Sequence, residues 1–207
     1  KPRYPDCRFI AYLQSYTNTY APLETLKKIY EPILQHPEIE GLVVGTRPDC
    51  LSLAILDYLG TLKENHEIVL EIGIESTLDK TLELINRQHD YAASVAAIEQ
   101  ACSRGITTAA HLILGLPGEN YEEMISHAIR ISALPVQSLK LHQLQILKGS
   151  VMAAQYQKDP MSFSLMTLKA YVALLADFLT YLRPDISIER MTSQAPAHDL
   201  IAPVWGK

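Results

Sequence analysis

A chain of 207 residues, 48% hydrophobic and 20% charged, is long enough to bury a full core and reads as one domain. Its apolar runs never reach the length of a membrane span. The opening KPRYPDCRFIAYLQ lacks a secretory leader's apolar core and cleavage site, so a cytoplasmic protein with no membrane partner is expected. The formal charge of -5 argues against broad, nonspecific nucleic-acid binding, and Cys7, Cys50 and Cys102 have neither redox nor zinc-ligand spacing.

In chain order, residues 9 to 15 (FIAYLQS) predict a strand. Residues 21 to 35 follow as a helix with Leu23, Leu26, Ile29, Tyr30, Ile33 and Leu34 on one stripe. A strand over 39 to 46 precedes a helix over 51 to 65. The third strand, 67 to 76, leads into helical stretches over 78 to 87 and 91 to 105, the second ending on Gly105 as a C-cap. A strand over 107 to 115 precedes a helix over 120 to 134, and a strand over 138 to 147 precedes a long helix over 165 to 182. Between these last two, 148 to 163 reads as a loop with a short helix inside it, and 186 to 191 is a final candidate strand. Alternating strands and helices at this spacing imply parallel strands joined by right-handed crossovers, an α/β fold. Periodicity leaves an open doubly wound sheet and part of a (β/α) barrel equally open.

Parallel α/β folds collect their chemistry at the carboxyl ends of strands. Here those ends are polar: Gln14 to Asn18, Gly45 to Asp49, Glu75-Ser76, His111 ahead of Gly115-Leu116-Pro117-Gly118, and His142, Gln143 and Gln145 ahead of Lys148-Gly149. Along the third strand, alternation puts Glu71, Gly73 and Glu75 on one face and Leu70, Ile72 and Ile74 on the other. Two carboxylates about 13 Å apart then point inward. Glu71 is explained equally by a structural pair with a cation such as Lys140 or by a functional role, while Glu75, nearer the strand end, is the better ligand contact.

Arg47 and Arg87 each suit a solvated or locally paired role, but the helix after Glu75 could return the Arg87 fork to the same rim, where it would suit a carboxylate. His127 is expected on a solvent-facing helix surface, and His36, His66 and His89 in turns. No metal-ligand spacing, GxSxG, Walker A or GxGxxG occurs. Tyr12, Tyr16 and Tyr20, with three Phe and one Trp in the whole chain, make a poor stacking platform for RNA. Gly115 and Gly118 either punctuate the chain or let the backbone approach a ligand closely.

Taken together, GTRPDCL (45 to 51), EIGIESTLDKTLELINRQHD (71 to 90), HLILGLPGE (111 to 119) and KLHQLQILKGS (140 to 150) resemble the core of radical S-adenosylmethionine (radical SAM) enzymes. The second and third stretches are similar to the Elongator-type and oxygen-independent coproporphyrinogen oxidase-type branch. YLQSYTNTYAP (12 to 22) and APVW (202 to 205) are similar to an uncharacterised bacterial subgroup close to the Elongator type.

The resemblance implies a partial (β/α)6 TIM-like barrel in which a [4Fe-4S] cluster holds the amino and carboxylate groups of S-adenosylmethionine. Reduction then cleaves the sulfonium into methionine and a 5'-deoxyadenosyl radical. Carried over by position, Glu75 accepts from the ribose hydroxyls, Arg87 pairs with the methionine carboxylate, and Gln14, Ser15 and Thr17 meet the methionine amino group. His111 falls on the ribose side, Gly115 and Leu116 offer backbone to the cofactor, and Ile146 with Leu147 cradles the adenine.

The family anchors its cluster in a CxxxCxxC loop after the first strand, which this sequence lacks, and the first strand here resembles the family's second. The expectation is therefore a radical SAM core over residues 1 to 207 whose first strand, cluster loop and cluster ligands lie outside the numbered sequence, inactive by itself. Gly45 stands where relatives often place an acid. The implied partners are an electron donor for the cluster and an unidentified substrate, with RNA suggested by the Elongator kinship. The alternatives are a non-catalytic βα scaffold that has lost its cluster and a conventional barrel enzyme using Glu71 and Glu75 as acid and base.

Overall fold

The computed structural model describes residues 7 to 205; KPRYPD, on which the leader expectation partly rests, and residues 206 and 207 lie outside the described residues. Six strands form one sheet in the order β1-β2-β3-β4-β5-β7, and β6 and β8 form a separate pair. These strands are β1 Phe9–Leu13, β2 Ile39–Thr46, β3 Glu67–Glu75, β4 Thr107–Leu114, β5 Ser138–Gln143, β6 Ile146–Leu147, β7 Ser187–Arg190 and β8 Leu200–Ala202. Helices α1 Leu23–Leu34, α2 Leu53–Lys63, α3 Asp79–Leu84, α4 Tyr91–Cys102, α5 Tyr121–Ser132, α6 Val151–Lys158 and α7 Leu168–Tyr181 fill the connections. The pairings of β1 with β2, β2 with β3 and β5 with β7 are parallel, as alternation requires. By internal contacts the chain divides into two units, Lys1–Gly73 with Ala92–Ala109, and Ile74–Tyr91 with Ala110–Lys207, so β3 and β4 each contribute to both.

In the first unit α1 packs on β2, and Leu26, Tyr30 and Leu34 of α1 are buried, as are Leu42, Val44, Leu56, Leu59, Ile68 and Leu70. The stripe on α1 is narrower than expected, for Ile29 is 46% exposed. At the foot of β2, a Cβ on Gly41 would stand 2.0 Å from the Glu67 carbonyl oxygen, so only glycine fits between the two backbones. Ser52 caps α2 by accepting from the Ile55 N–H.

In the second unit, α3 stops at Leu84, short of the expected Arg87, because Asn86 and Gln88 take positive φ values of 56° and 66°. A reciprocal capping box between Asn120 and Glu123 starts α5. The strand expected over 138 to 147 is broken. After Gln143 the Leu144 N–H donates to the Leu114 carbonyl at 2.8 Å, and Ile146–Leu147 turns away to pair antiparallel with β8. The short helix expected between 148 and 163 is α6. His127, expected on a solvent-facing surface, is instead fully buried. Its face of α5 packs inward together with Met124, Ala128 and Ile131. Among the described residues no helix is long and apolar enough to cross a membrane.

Candidate functional site

Glu75 closes β3 in an uncommon conformation. Its φ is +65°, and the Ser76 N–H donates across it to the Ile74 carbonyl at 2.9 Å, a tight three-residue turn. A non-glycine residue held there is strained by roughly 1–3 kcal/mol and persists only where its surroundings fix it. Upstream, Ile68, Leu70, Ile72 and Ile74 are all 0% exposed, so the strand shows its aliphatic face to the core, as alternation predicts. The turn leaves the Glu75 carboxylate at the strand's carboxyl end.

Three expected residues meet at that carboxylate. Glu75 Oε1 lies 3.1 Å from Arg87 Nη2 and Oε2 lies 2.7 Å from His111 Nδ1, with side chains only 13%, 23% and 14% exposed. The early end of α3 brings Arg87 back, and His111 reaches over from β4. Two residues outside the expected set extend the cluster. The His142 ring stands edge-on to His111 with centroids 4.3 Å apart at 88°, and Arg190 Nη1 lies 3.2 Å from His142 Nε2. Because a guanidinium only donates, His142 Nε2 is the acceptor and its proton sits on Nδ1. His142 was visible in sequence as a polar strand end, but nothing there indicated that Arg190, almost fifty residues on, would partner it.

Burial pushes the Glu75 carboxyl upward, yet His111, Arg87 and His142 outweigh it and hold the group below the usual carboxylate range. His142 is pushed down to about 4, by burial first and then by His111 and Arg190. The cluster therefore presents an ionised carboxylate at Glu75 and a neutral imidazole at His142. An ionised carboxylate has about four acceptor sites. With Arg87 and His111 using one on each oxygen, it retains capacity for a pair of hydroxyl donors.

The other expected residues sit as follows. Gly115 (φ +89°) and Gly118 (φ +82°) take conformations suited to glycine. A Cβ at Gly115 would lie 2.9 Å from Met166 Cε, so in this structure the group close to that glycine is a methionine methyl. Gly115, Leu116 and the loop after them line a cavity of about 530 Å³ with Met124, Met166 and Ala170. Leu116 is 3% exposed and Ile146 0%, while Leu147 is 36% exposed. The backbone of β6 is held by β8, Ile146 opposite Ala202 and Leu147 opposite Leu200.

In the first unit, Gln14 and Ser15 are exposed and Thr17 is half-buried, all just beyond β1. Asn18 shapes that loop by donating to the carbonyls of Leu13 and Gly45. A Cβ at Gly45 would stand 3.2 Å from the Leu13 carbonyl oxygen, a tight fit against the β1 backbone. Glu71 accepts from Tyr12 Oη at 2.7 Å. Arg47 pairs locally with Asp49, through Nε at 2.9 Å and Nη2 at 2.6 Å. Among the described residues no group of three or more His, Cys, Asp or Glu side chains is placed to hold a metal ion. Cys7, Cys50 and Cys102 are free thiols, so the residues described here do not fit a cluster.

Comparison with known proteins adds a family to this geometry. A family model for the radical SAM superfamily matches residues 2–131, and one for a radical SAM C-terminal domain matches 136–207. The uncharacterized protein YtqA of Bacillus subtilis is 36% identical over 203 residues, covering 98% of this chain and 62% of the relative. The chain thus spans about three fifths of the length of such curated relatives. Among solved structures, an archaeal Elp3 from Methanocaldococcus infernus superposes with a TM-score of 0.70 at 17% identity, over 86% of this chain and 41% of the other. The coproporphyrinogen III oxidase HemN of Escherichia coli, a radical SAM enzyme, gives 0.62 at 20%, over 80% and 38%. These two likenesses are of fold, the α/β partial TIM-like barrel of parallel strands.

Proposed function

Because the chain belongs to the radical SAM superfamily, we propose that Glu75, Arg87 and His111 are the part of an S-adenosylmethionine site that receives the ribose diol and the amino-acid carboxylate. The observation that carries the proposal is a carboxylate at a parallel strand's end, kept ionised by Arg87 and His111 and with acceptor capacity to spare. A vicinal diol donates two hydrogen bonds and matches that capacity. The planar Arg87 fork suits a carboxylate ligand while it leans on Glu75. His111 Nδ1 donates to Glu75, which fixes the ring and turns Nε2 toward any ligand on its far side.

When bound at a [4Fe-4S] cluster, S-adenosylmethionine supplies one-electron radical chemistry. The cluster's ligands are proposed to lie outside these 207 residues, in keeping with relatives of greater length. The work of this chain is then to bind and orient the nucleoside and amino-acid ends of the cofactor. An electron donor for the cluster and an unidentified substrate, with RNA suggested by the Elongator resemblance, complete the proposal.

Equilibrium binding tests it. Titrating 5'-deoxyadenosine or S-adenosylmethionine into the full-length protein by calorimetry, Glu75→Gln should weaken affinity about tenfold or more, since it removes hydrogen bonds to a charged acceptor. Equal affinity in the variant and the parent would overturn the assignment.

A further inference from the structure

Three residues follow Glu75 before the chain enters α3, and the first two are gripped from the same side. Ser76 Oγ donates to Glu119 Oε1 at 2.5 Å and also accepts from the Leu78 N–H at 3.1 Å. Thr77 Oγ1 meets His127 Nδ1 at 2.7 Å, and the Thr77 carbonyl accepts from Arg130 Nη1 at 2.7 Å. Glu119 stands just before α5, and His127 and Arg130 lie one turn apart on it. His127 Nε2 and Glu119 Oε2 stand 3.2 Å apart with both side chains 0% exposed and no hydrogen bond between them, so the grip is two hydrogen-bonded pairs side by side in a dry interior.

Such a group is a poor way to gain stability. Burying a carboxylate and an imidazole incurs desolvation that their mutual attraction barely offsets, and apolar side chains of like volume would serve a core at least as well. What these groups do that apolar ones could not is fix the direction of residues 76 and 77, immediately beyond a strained φ. A residue at +65° relaxes toward the β or helical regions unless both its flanks are held. On one flank β3 is anchored by Ile72 and Ile74, each 0% exposed. On the other flank the contacts to Glu119, His127 and Arg130 are the restraint.

We infer that Glu119, His127 and Arg130 are positioning residues: α5 and the loop leading into it form a three-point clamp that holds the Glu75 turn and so aims its carboxylate at the nucleoside. The inference rests on the proposed role of Glu75 as the acceptor for the ribose hydroxyls. It also gives the acid of the GLPGE stretch a task distinct from touching ligand, tying the end of β4 to the end of β3.

The test uses the full-length protein and two variants. His127→Phe keeps a ring of similar volume and removes both nitrogens. Arg130→Met removes one of the three contacts from a side chain at the helix surface, and serves if His127→Phe fails to fold. Amide hydrogen exchange should accelerate about tenfold or more at Ser76 and Leu78 while β4 amides keep their parent rates, the signature of a local opening. Affinity for 5'-deoxyadenosine should fall about fivefold, and that loss should vanish when Glu75→Gln is already present, because the clamp acts through Glu75.

Unchanged exchange at residues 76 and 78 in a folded variant, or an equal rise throughout the sheet, overturns the clamp. So does an affinity loss that persists undiminished in the Glu75→Gln background. If exchange responds as expected but Glu75→Gln itself leaves affinity untouched, the clamp stands and the nucleoside role of Glu75 fails.

Discussion

A carboxylate between a guanidinium and an imidazole resists protonation, and a buried imidazole beside a guanidinium resists charge; both conditions meet at Glu75 and His142. The consequences for stability have opposite origins and the same sign. His142 is depressed from 6.5 to about 4 in the fold, so between those values the unfolded chain takes up a proton that the folded chain refuses. Stability therefore falls as pH drops through that window. Glu75 lies below its ordinary 4.5; its contribution is full above that value and is lost as pH falls through the lower, folded one. Urea midpoints measured from neutral pH down to about pH 4 should decline, and His142→Gln should flatten the upper part of the decline. A slope that His142→Gln leaves intact would remove His142 as its source. Arg190→Gln should raise the His142 pKa in an imidazole NMR titration, since the guanidinium is among the causes of its depression. At this scale sequence alternation marked Glu75 and the rim in which Arg87 and His111 meet it. It could not mark His142 with Arg190, or the burial of His127, because those depend on which distant residue stands opposite.

Elements were legible wherever a period ran long enough to be counted. The strand expected at 39 to 46 is β2, that at 107 to 115 is β4 to within a residue, and the helix expected at 165 to 182 is α7 to within three, all plain from apolar spacing. The break inside 138 to 147 was not, because its one mark in KLHQLQIL is a slip of the alternation at His142-Gln143, too short to separate two strands where the backbone changes partner, from the sheet to β8. Nor was β8, whose three residues are too few to show a period. Glycines illustrate the same limit, since sequence shows where they are and only packing shows why. Gly115→Ala incurs the left-handed backbone penalty, about 1–2 kcal/mol, while the crowding atom is the mobile end of Met166, which can swing aside. Gly41→Ala incurs no such φ penalty but drives a methyl into the carbonyl of a neighbouring strand 2.0 Å away, where nothing flexible can yield. Denaturant unfolding should therefore rank Gly41→Ala as the more damaging, by about 1 kcal/mol or more. The reverse ranking would mean that β2 and β3 separate easily at that point.

At the scale of the molecule, strict alternation was sufficient to name a parallel α/β fold, since a helix between successive strands permits little else. Closure toward a barrel was not available from periodicity, because an open sheet and a barrel share the same local pattern, and it came instead from resemblance and from the likeness to solved folds. The strand order has a further consequence at its β1 end. Phe9 and Ile10 are 44% and 47% exposed and Tyr12 38%, and β1 stands last in the order of the described sheet. Successive residues of a strand face opposite sides, so apolar surface is open on both faces of β1. The ion pair between Arg8 and Glu40 lies at its start rather than along it. Edge strands that remain solitary are guarded by charge, proline or a bulge; Phe9–Leu13 contains no charge or proline, and its register shift against β2 falls at its first step, between Phe9 and Ile10, leaving Ile10–Leu13 regular. The 207-residue chain is therefore expected to self-associate through β1 in a concentration-dependent way, read by sedimentation velocity. Ile10→Lys should return it to monomer without loss of helical circular dichroism, because a charge along the edge opposes strand addition and the residue contributes little to the core. Association that is equally strong in Ile10→Lys would place the contact elsewhere on the surface.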